Sequence, residues 1–289
     1  MKNNIKISVI MGVLNPAAPH HLHQAVRSIL EQSFRNWEMI LYDDGSDAAS
    51  AREIQNVAAW DGRIRSYRSE QNRGLGYALN QCIRYARGRY LARMDADDVA
   101  APNRLEQQLQ FLQTHPGFQW VGSNALLMDE NGVWGVLKMP ERPQAKDFLS
   151  HSPYIHPSVL FRKEVLVQHG GYCADRRVLL CEDYELFMRL HRNGNRGYNL
   201  QEPLLQYRES PASYRKRTPG RRLREMRLRY HGFRELGILT GATFPYVLKP
   251  LLAGAVPPSI QHFVKKQIRQ PGEHTQKGGK RPHGISETS

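Results

Sequence analysis

Apolar positions in the first hundred residues switch between two periods, and the switches mark out alternating strands and helices. Residues 5–11 (IKISVIM) have the apolar density of a buried strand, followed by a turn over Gly12, Val13, Leu14, Asn15 and Pro16. Across residues 21–32, Leu22, Val26, Ile29 and Leu30 fall on one helical face. Residues 37–42 (WEMILY) predict a second strand, stopped by Asp43, Asp44, Gly45 and Ser46. A helix over 48–60 and a third strand over 64–68 follow. Asn72, Arg73 and Gly74 form a turn, and Leu75, Leu79, Ile83 and Ala86 give the helix 75–86 its apolar side. A fourth strand, 90–94, runs into Asp95, Asp97 and Asp98. Such alternation through short links predicts an α/β fold, with a mostly parallel sheet flanked by helices.

Composition narrows the class. The chain has 289 residues, 40% hydrophobic and 24% charged, enough for a sizeable core. Cys82, Cys173 and Cys181 are odd in number and lack a Cys-x-x-Cys pair, which argues against a disulfide framework or a zinc site and fits a reducing cytosol. Neither a signal peptide nor an uninterrupted apolar span of about 18 residues is expected. The net charge of +14 is unevenly placed. From Arg208 onward, 17 Lys/Arg face five Glu, a local +12, while the preceding 207 residues carry +2. A basic tail on a nearly neutral domain points to a charged surface held nearby.

In an open parallel sheet, ligands bind beyond the carboxyl ends of the strands. Three polar clusters follow such ends, at residues 12–15, 43–46 and 95–98, and should converge on one crevice. Asp95 and Asp97 are two apart, so on an extended chain they project to the same side. Paired carboxylates suit a hard cation, and Mn²⁺ or Mg²⁺ would reverse the sign of an acidic crevice that otherwise repels phosphate. No G-x-x-x-x-G-K-[ST] and no strand-linked G-x-G-x-x-G occurs, which argues against a P-loop or a dinucleotide fold.

The strings Ser8-Val9-Ile10-Met11-Gly12-Val13-Leu14-Asn15, Ser28-Ile29-Leu30-Glu31-Gln32-Ser33-Phe34, Asp43-Asp44-Gly45-Ser46, Asn72-Arg73-Gly74 and Asp95-Ala96-Asp97-Asp98 together resemble the family 2 glycosyltransferases of bacterial surface polysaccharide synthesis. The resemblance spans about residues 5–210 and departs at Gly12, where the family usually has Pro, a change read as one of loop stiffness. It implies a GT-A fold, Rossmann-like, with a basic helical C-terminal extension. It also implies a nucleotide-sugar donor, typically UDP-linked, contacted by Val13, Asn15, Asp43, Asp44, Arg73 and Asp95, with Asp97 as metal ligand. Asp98 either supports the metal ligand or satisfies loop amides. Arg104 and Glu106 should start a helix, with Phe111 and Leu112 in the core.

Cys181-Glu182-Asp183-Tyr184 opens a helix whose dipole favours a carboxylate in its first turn, and by the resemblance Asp183 is the general base. Glu182 would orient its neighbours, and His156, in a strand-like stretch, is either an acceptor-side group or structural. Trp120, Trp134 and Tyr154 could stack on a sugar, though core packing is the commoner fate of such residues. The implied reaction is one in-line displacement with inversion, on a saccharide or lipid-linked saccharide acceptor.

The expected organisation is a catalytic domain, 1–210, with a nucleotide-binding half to about 100 and an acceptor half from 101. A basic helical segment, 211–269, and a disordered tail, 270–289, would follow. Around Arg221–Tyr230, Leu223, Met226 and Tyr230 form an apolar stripe among arginines, and residues 238–263 are apolar but broken by Pro245, Pro250, Pro257 and Pro258. These features suit either contact with an anionic membrane, at the cytoplasmic face of the inner membrane, or a solvated helix packed on the domain. A sugar nucleotidyltransferase is the competing enzyme class, but it would need a Gly-rich, Arg-containing loop after the first strand. A nucleic-acid binder would interleave more aromatics with its basic residues, so no nucleic acid is expected.

Overall fold

The computed structural model describes residues 5–209 and 218–252. The N-terminal half alternates as expected: β1 (Ile7–Val13), α1 (Pro19–Leu30), β2 (Trp37–Asp43), α2 (Ala48–Ala58), β3 (Ile64–Arg68), α3 (Leu75–Tyr85) and β4 (Tyr90–Arg93). These strands run parallel in the order β3-β2-β1-β4, with Ile7 beside both Trp37 and Tyr90. Then come β5 (Val99–Ala100), α4 (Arg104–Thr114), the hairpin of β6 (Trp120–Asp129) and β7 (Gly132–Leu137), and β8 (Leu160–Arg162). Helices α5 (Lys163–Gln168) and α6 (Glu182–Arg192) precede the long β9 (Gly197–Arg208). The sheet continues past β4 as β8-β6-β9-β5, with β7 added on β6, and this half mixes parallel and antiparallel pairs.

Side chains of β1 alternate between two cores, as a strand's period of two requires. Ile7, Val9 and Met11 pack with α1, α2 and α4, whereas Ile10 packs with α3, α6 and the aromatic group around Trp120. The sheet is therefore covered on both faces. Trp120, Trp134 and Tyr154 are buried core residues, not sugar platforms. Leu112 is fully buried and Phe111 packs against the same core.

Several expectations shift. Gly12 belongs to β1, paired with Tyr42, and the turn starts only at Leu14. A Cβ at Gly12 would lie 3.1 Å from both Ala78 Cβ and Leu75 Cδ1, so α3 sits close over the strand. The residue answers to helix–sheet packing rather than loop stiffness. β4 ends at Arg93, so Asp95 and Asp97 lie on a turn and not on an extended strand. His156 opens a short 3₁₀ turn, His156–Ser158, ahead of β8. The stretch between β6 and residue 152 contains strand β7, which the period of the apolar positions does not mark.

Beyond β9, α7 (Pro219–Glu235) and α8 (Phe244–Leu252) pack on each other, and α7 also packs on α6. The buried face of α7 is Arg229, Gly232 and Phe233. Leu223 and Tyr230 of the expected stripe are instead exposed. Arg229 donates to the carbonyls of Leu149 and Ser150, and Gly232 lies against Met188. Among the described residues, no helix is long and apolar enough to cross a membrane. The expected tail, 270–289, lies outside the described residues.

Candidate active site

Three loops leave the carboxyl ends of β1, β2 and β4, which lie side by side, and backbone hydrogen bonds join the first two. Asp44 N–H donates to Val13 O at 2.9 Å, and Asn15 N–H donates to Ser46 Oγ at 3.0 Å. Asn15 takes a positive φ of 42°, a conformation Asn tolerates, and its Oδ1 accepts Asp47 N–H at 2.9 Å. Asp43 closes its own turn by accepting Ser46 N–H at 2.8 Å, with Arg68 Nη1 3.3 Å from its other oxygen. Gly45 is required here: φ is +83°, and a Cβ would meet the Gln71 backbone at 2.6 Å.

Asp44 is buried, and its carboxylate accepts from the N–H groups of Arg73 (3.1 Å) and Gly74 (2.7 Å). Burial raises its carboxyl above the ordinary value, and those two amides oppose the shift. The Asp-Asp-Gly-Ser turn and the Asn-Arg-Gly turn are thus one structure, 30 residues apart in the chain. Arg73 stacks 3.8 Å over the Tyr77 ring at the rim of an open cleft of about 830 Å³. Asn72, Gly74 and Leu179 also line that cleft.

At the end of β4, one oxygen from each of Asp95, Asp97 and Asp98 lies within 4.8 Å of the others. Asp97 is exposed, Asp95 half-buried and Asp98 buried. Asp98 Oδ1 accepts the Arg208 N–H at 2.8 Å, while its buried Oδ2 has no hydrogen-bond partner, so the residue serves an amide with one oxygen and leaves the other for the acid lip. Desolvation and the charges of Asp95 and Asp97 push its carboxyl well up. An orphaned buried oxygen among crowded like charges is a set that a divalent cation fits.

Beneath this lip lie two buried arginines. Arg93 Nη1 is 2.5 Å from Asp95 Oδ2. Arg104, pulled down to about 9 by burial, donates to Arg93 O at 2.8 Å. The helix expected from Arg104 therefore also props the acid loop. Gln32 fixes the segment beyond it, donating to Ala101 O at 2.7 Å and accepting Leu105 N–H at 3.0 Å.

Glu182 and Asp183 occupy the first turn of α6, where free N–H groups favour carboxylates. Desolvation raises both carboxyls, and at Asp183 the Tyr184 backbone N–H, then Arg221 and Arg93, oppose the rise. Glu182 is buried against Gly76 of α3, and its Oε1 has no hydrogen-bond partner. His156 is buried, paired through Nε2 with Tyr172 OH at 2.8 Å. Burial and the Arg93 charge hold it well below its ordinary value, hence neutral.

Sequence reasoning missed Arg208. It caps β9, and its side chain donates to Asp97 O (3.0 Å) and Gln24 Oε1 (3.0 Å) while its amide holds Asp98. No local pattern marks a residue 110 positions from its partner. Arg93 stood inside the Arg-Met-Asp-Ala-Asp-Asp string and could have been found there as an apolar strand's one buried cation. A second set, His20, His21 and Glu130, also brings ligand atoms within 4.8 Å. It lies in the first turn of α1, and Glu130 Oε1 is shared with Arg208 at 3.5 Å, so both the helix dipole and the guanidinium oppose a cation.

An open cleft at the Asn72–Gly74 turn, an acid lip after β4 and carboxylates in the first turn of α6 form an arrangement that suits a transferase acting on a sugar nucleotide. Residues 8–180 match the family model described as Glycosyl transferase family 2, and the chain belongs to that family. It is 35% identical over 270 residues to EpsE of Bacillus subtilis (strain 168), covering 93% of this chain and 96% of that protein. It is 32% identical to the O-antigen biosynthesis glycosyltransferase WbnJ of Escherichia coli, over 70% and 79% of the two chains. Among solved structures, a Pyrobaculum calidifontis mannosyltransferase in complex with GDP-Man and Mn²⁺ superposes with a TM-score of 0.59 at 17% identity, over 91% and 80% of the chains. Staphylococcus aureus TarS 1–349 with UDP gives 0.59 at 18%, over 90% and 78%. The fold is GT-A.

Proposed function

We propose that this glycosyltransferase moves a sugar from a UDP-linked donor to a saccharide or lipid-linked saccharide in bacterial polysaccharide synthesis, with inversion. The observation carrying this reading is the Asp95–Asp97–Asp98 lip, one strand away from the joined Asp44 and Arg73 turns. A relative 26% identical over 91% of this chain is named as a UDP-Gal:alpha-D-GlcNAc-diphosphoundecaprenol beta-1,3-galactosyltransferase, which supports both the UDP donor and the lipid-linked acceptor.

In this reading Asp44 holds the Asn72–Gly74 turn, leaving Arg73 and the remaining carboxylate lone pairs for the nucleotide base. Val13, Asn15 and Asp43 shape the same wall, and Asp95, fixed by Arg93, faces the ribose. Asp97 would hold Mn²⁺ or Mg²⁺, with Asp98 behind it. When bound, that ion neutralises charge developing on the leaving diphosphate. Asp183 takes the proton of the acceptor hydroxyl, and its desolvated position favours proton uptake. Glu182 and His156, both buried, support the acceptor side rather than touching it. Residues 1–210 would form the working unit, acting at the cytoplasmic face of the inner membrane, where a lipid-linked acceptor is presented.

Sugar nucleotides incubated with the chain and Mn²⁺ or Mg²⁺ test the reading. Free UDP should be released slowly without acceptor, and Asp97→Ala should abolish the release. Pyrophosphate chemistry instead of UDP release would mark a nucleotidyltransferase and overturn it.

A further inference from the structure

Helix α8 is apolar on the side that a water-soluble helix keeps polar. Val247 and Pro250 are its buried residues. The adjoining stripe, spaced i, i+4, i+7, i+8, carries Phe244, Leu248, Leu251 and Leu252, exposed by 44, 37, 42 and 69%. Tyr246 adds a fifth exposed apolar side chain. Of the twelve large apolar side chains that the described residues expose, these five lie within the nine residues of α8. So dense a patch requires a partner.

Charge selects the partner. Exposed Lys249 lies within the helix, and Arg222 reaches the Pro250 carbonyl at 2.9 Å. Arg227 and Arg234 are exposed on the adjoining α7. A second copy of this chain would bring another +14 and meet the patch with like charge. A patch made mostly of leucines, with one Lys in its helix, does not suit nucleic acid. An apolar stripe with a basic surround fits a bilayer carrying anionic lipid. Nine helical residues span about 14 Å, less than half a hydrocarbon core, so α8 would lie in the interface rather than cross it.

We infer that α8 is a membrane-docking helix, inserting Phe244, Leu248, Leu251 and Leu252 into an anionic leaflet. This rests on, and gives a surface to, the membrane reading above. It also has a consequence for the acceptor. Helix α7, which carries α8, touches the segment before α6 through Arg224 and the Leu179 carbonyl at 3.3 Å, and Leu179 lines the cleft. Docking would therefore present the Asp183 side of the enzyme to a lipid-borne acceptor.

The test is co-sedimentation of the full chain with phosphatidylglycerol–phosphatidylcholine vesicles and with phosphatidylcholine vesicles alone. The chain should pellet with the anionic vesicles and stay in solution with the neutral ones. The double variant Leu248→Glu/Leu251→Glu should bind the anionic vesicles at least about tenfold more weakly. Both positions are exposed, so its melting temperature and its metal-dependent UDP release in free solution should match the parent chain. Retained UDP release with no vesicle binding by the parent chain would overturn the docking helix and leave the transferase reading standing. Vesicle binding unchanged in the double variant would overturn it too, as would a parental dimer that the variant splits in sedimentation velocity.

Discussion

Burial raises carboxyls on both sides of the crevice, but the donor side ties Asp44 to a distant turn while the acceptor side leaves Glu182 with an unbonded oxygen. On the donor side, Asp43 and Asp44 are met by backbone N–H groups of Ser46, Arg73 and Gly74. On the acceptor side, Glu182 keeps a buried oxygen without a hydrogen-bond partner, and desolvation raises both Glu182 and Asp183. A carboxylate already bonded to amides is a fixed piece of architecture, useful for shape. A carboxylate raised by desolvation gains by accepting a proton, which is what a general base must do, and at Asp183 desolvation outweighs the Tyr184 backbone N–H that opposes it. The contrast predicts which substitutions stop chemistry and which merely loosen binding.

Asp183→Asn should have the largest effect, lowering turnover by about 10²–10⁴-fold while leaving UDP affinity unchanged by calorimetry. The same variant should melt higher than the parent at neutral pH. The folded carboxyl is raised above its ordinary 3.8, so its contribution to stability is complete below that value and is lost as pH rises through the folded value. Removing the ionisable group removes that loss. For the same reason the acid limb of kcat/KM should lie above the ordinary Asp value. A variant that loses turnover and also melts lower would show Asp183 to be structural.

Next in size is Asp95→Ala. It strands the buried Arg93 guanidinium, and breaking such a pair costs about 3–5 kcal/mol, with the lower end expected because Asp95 is 31% exposed. The double variant Arg93→Met/Asp95→Ala should recover much of that stability in urea denaturation without recovering UDP release. Equal stability of the single and double variants would mean that the pair does not hold the lip.

The donor half was legible because its logic is local. Strand ends, turn residues and the period of the apolar positions fall in sequence order, so β1 to β4 and their loops could be set out within two or three residues. The acid turn shows the limit. Its three aspartates fall within four residues, yet their convergence depends on Arg208, Arg93 and Arg104, and the contact of Asp98 with Arg208 crosses 110 residues. Strand β7 was missed because Gly132 to Leu137 exposes two of its six residues and mixes small with large side chains. Of the apolar stripe assigned to α7, Met226 packs on the core but Leu223 and Tyr230 face outward, because the buried face joins Phe233 to a glycine and an arginine, neither of which reads as apolar.

Asp44→Ala sharpens the contrast from the donor side. Two N–H groups lose a charged acceptor, a loss of about 2 kcal/mol, or roughly 4–8 °C in melting temperature. Freed from Asp44, the Asn72–Gly74 turn should hold Arg73 less well, so donor KM rises while kcat at saturating donor stays near the parent value. A fall in kcat with unchanged KM would reverse the assignment of the two sides.

Gly12→Ala should have the smallest effect, and it isolates packing from chemistry. Its new methyl would stand 3.1 Å from Ala78 Cβ and Leu75 Cδ1, so α3 must move a few tenths of an ångström away from β1. Overpacking of this size costs about 1 kcal/mol, which a thermal melt would read as about 2–4 °C. Because α3 begins directly after Gly74, the shift also reaches the turn that Asp44 holds. Donor KM should therefore rise slightly and kcat should not change, since Asp183 is carried by another helix. A melting temperature equal to the parent's would mean that α3 has slack over the strand, and that packing does not require a glycine at this position.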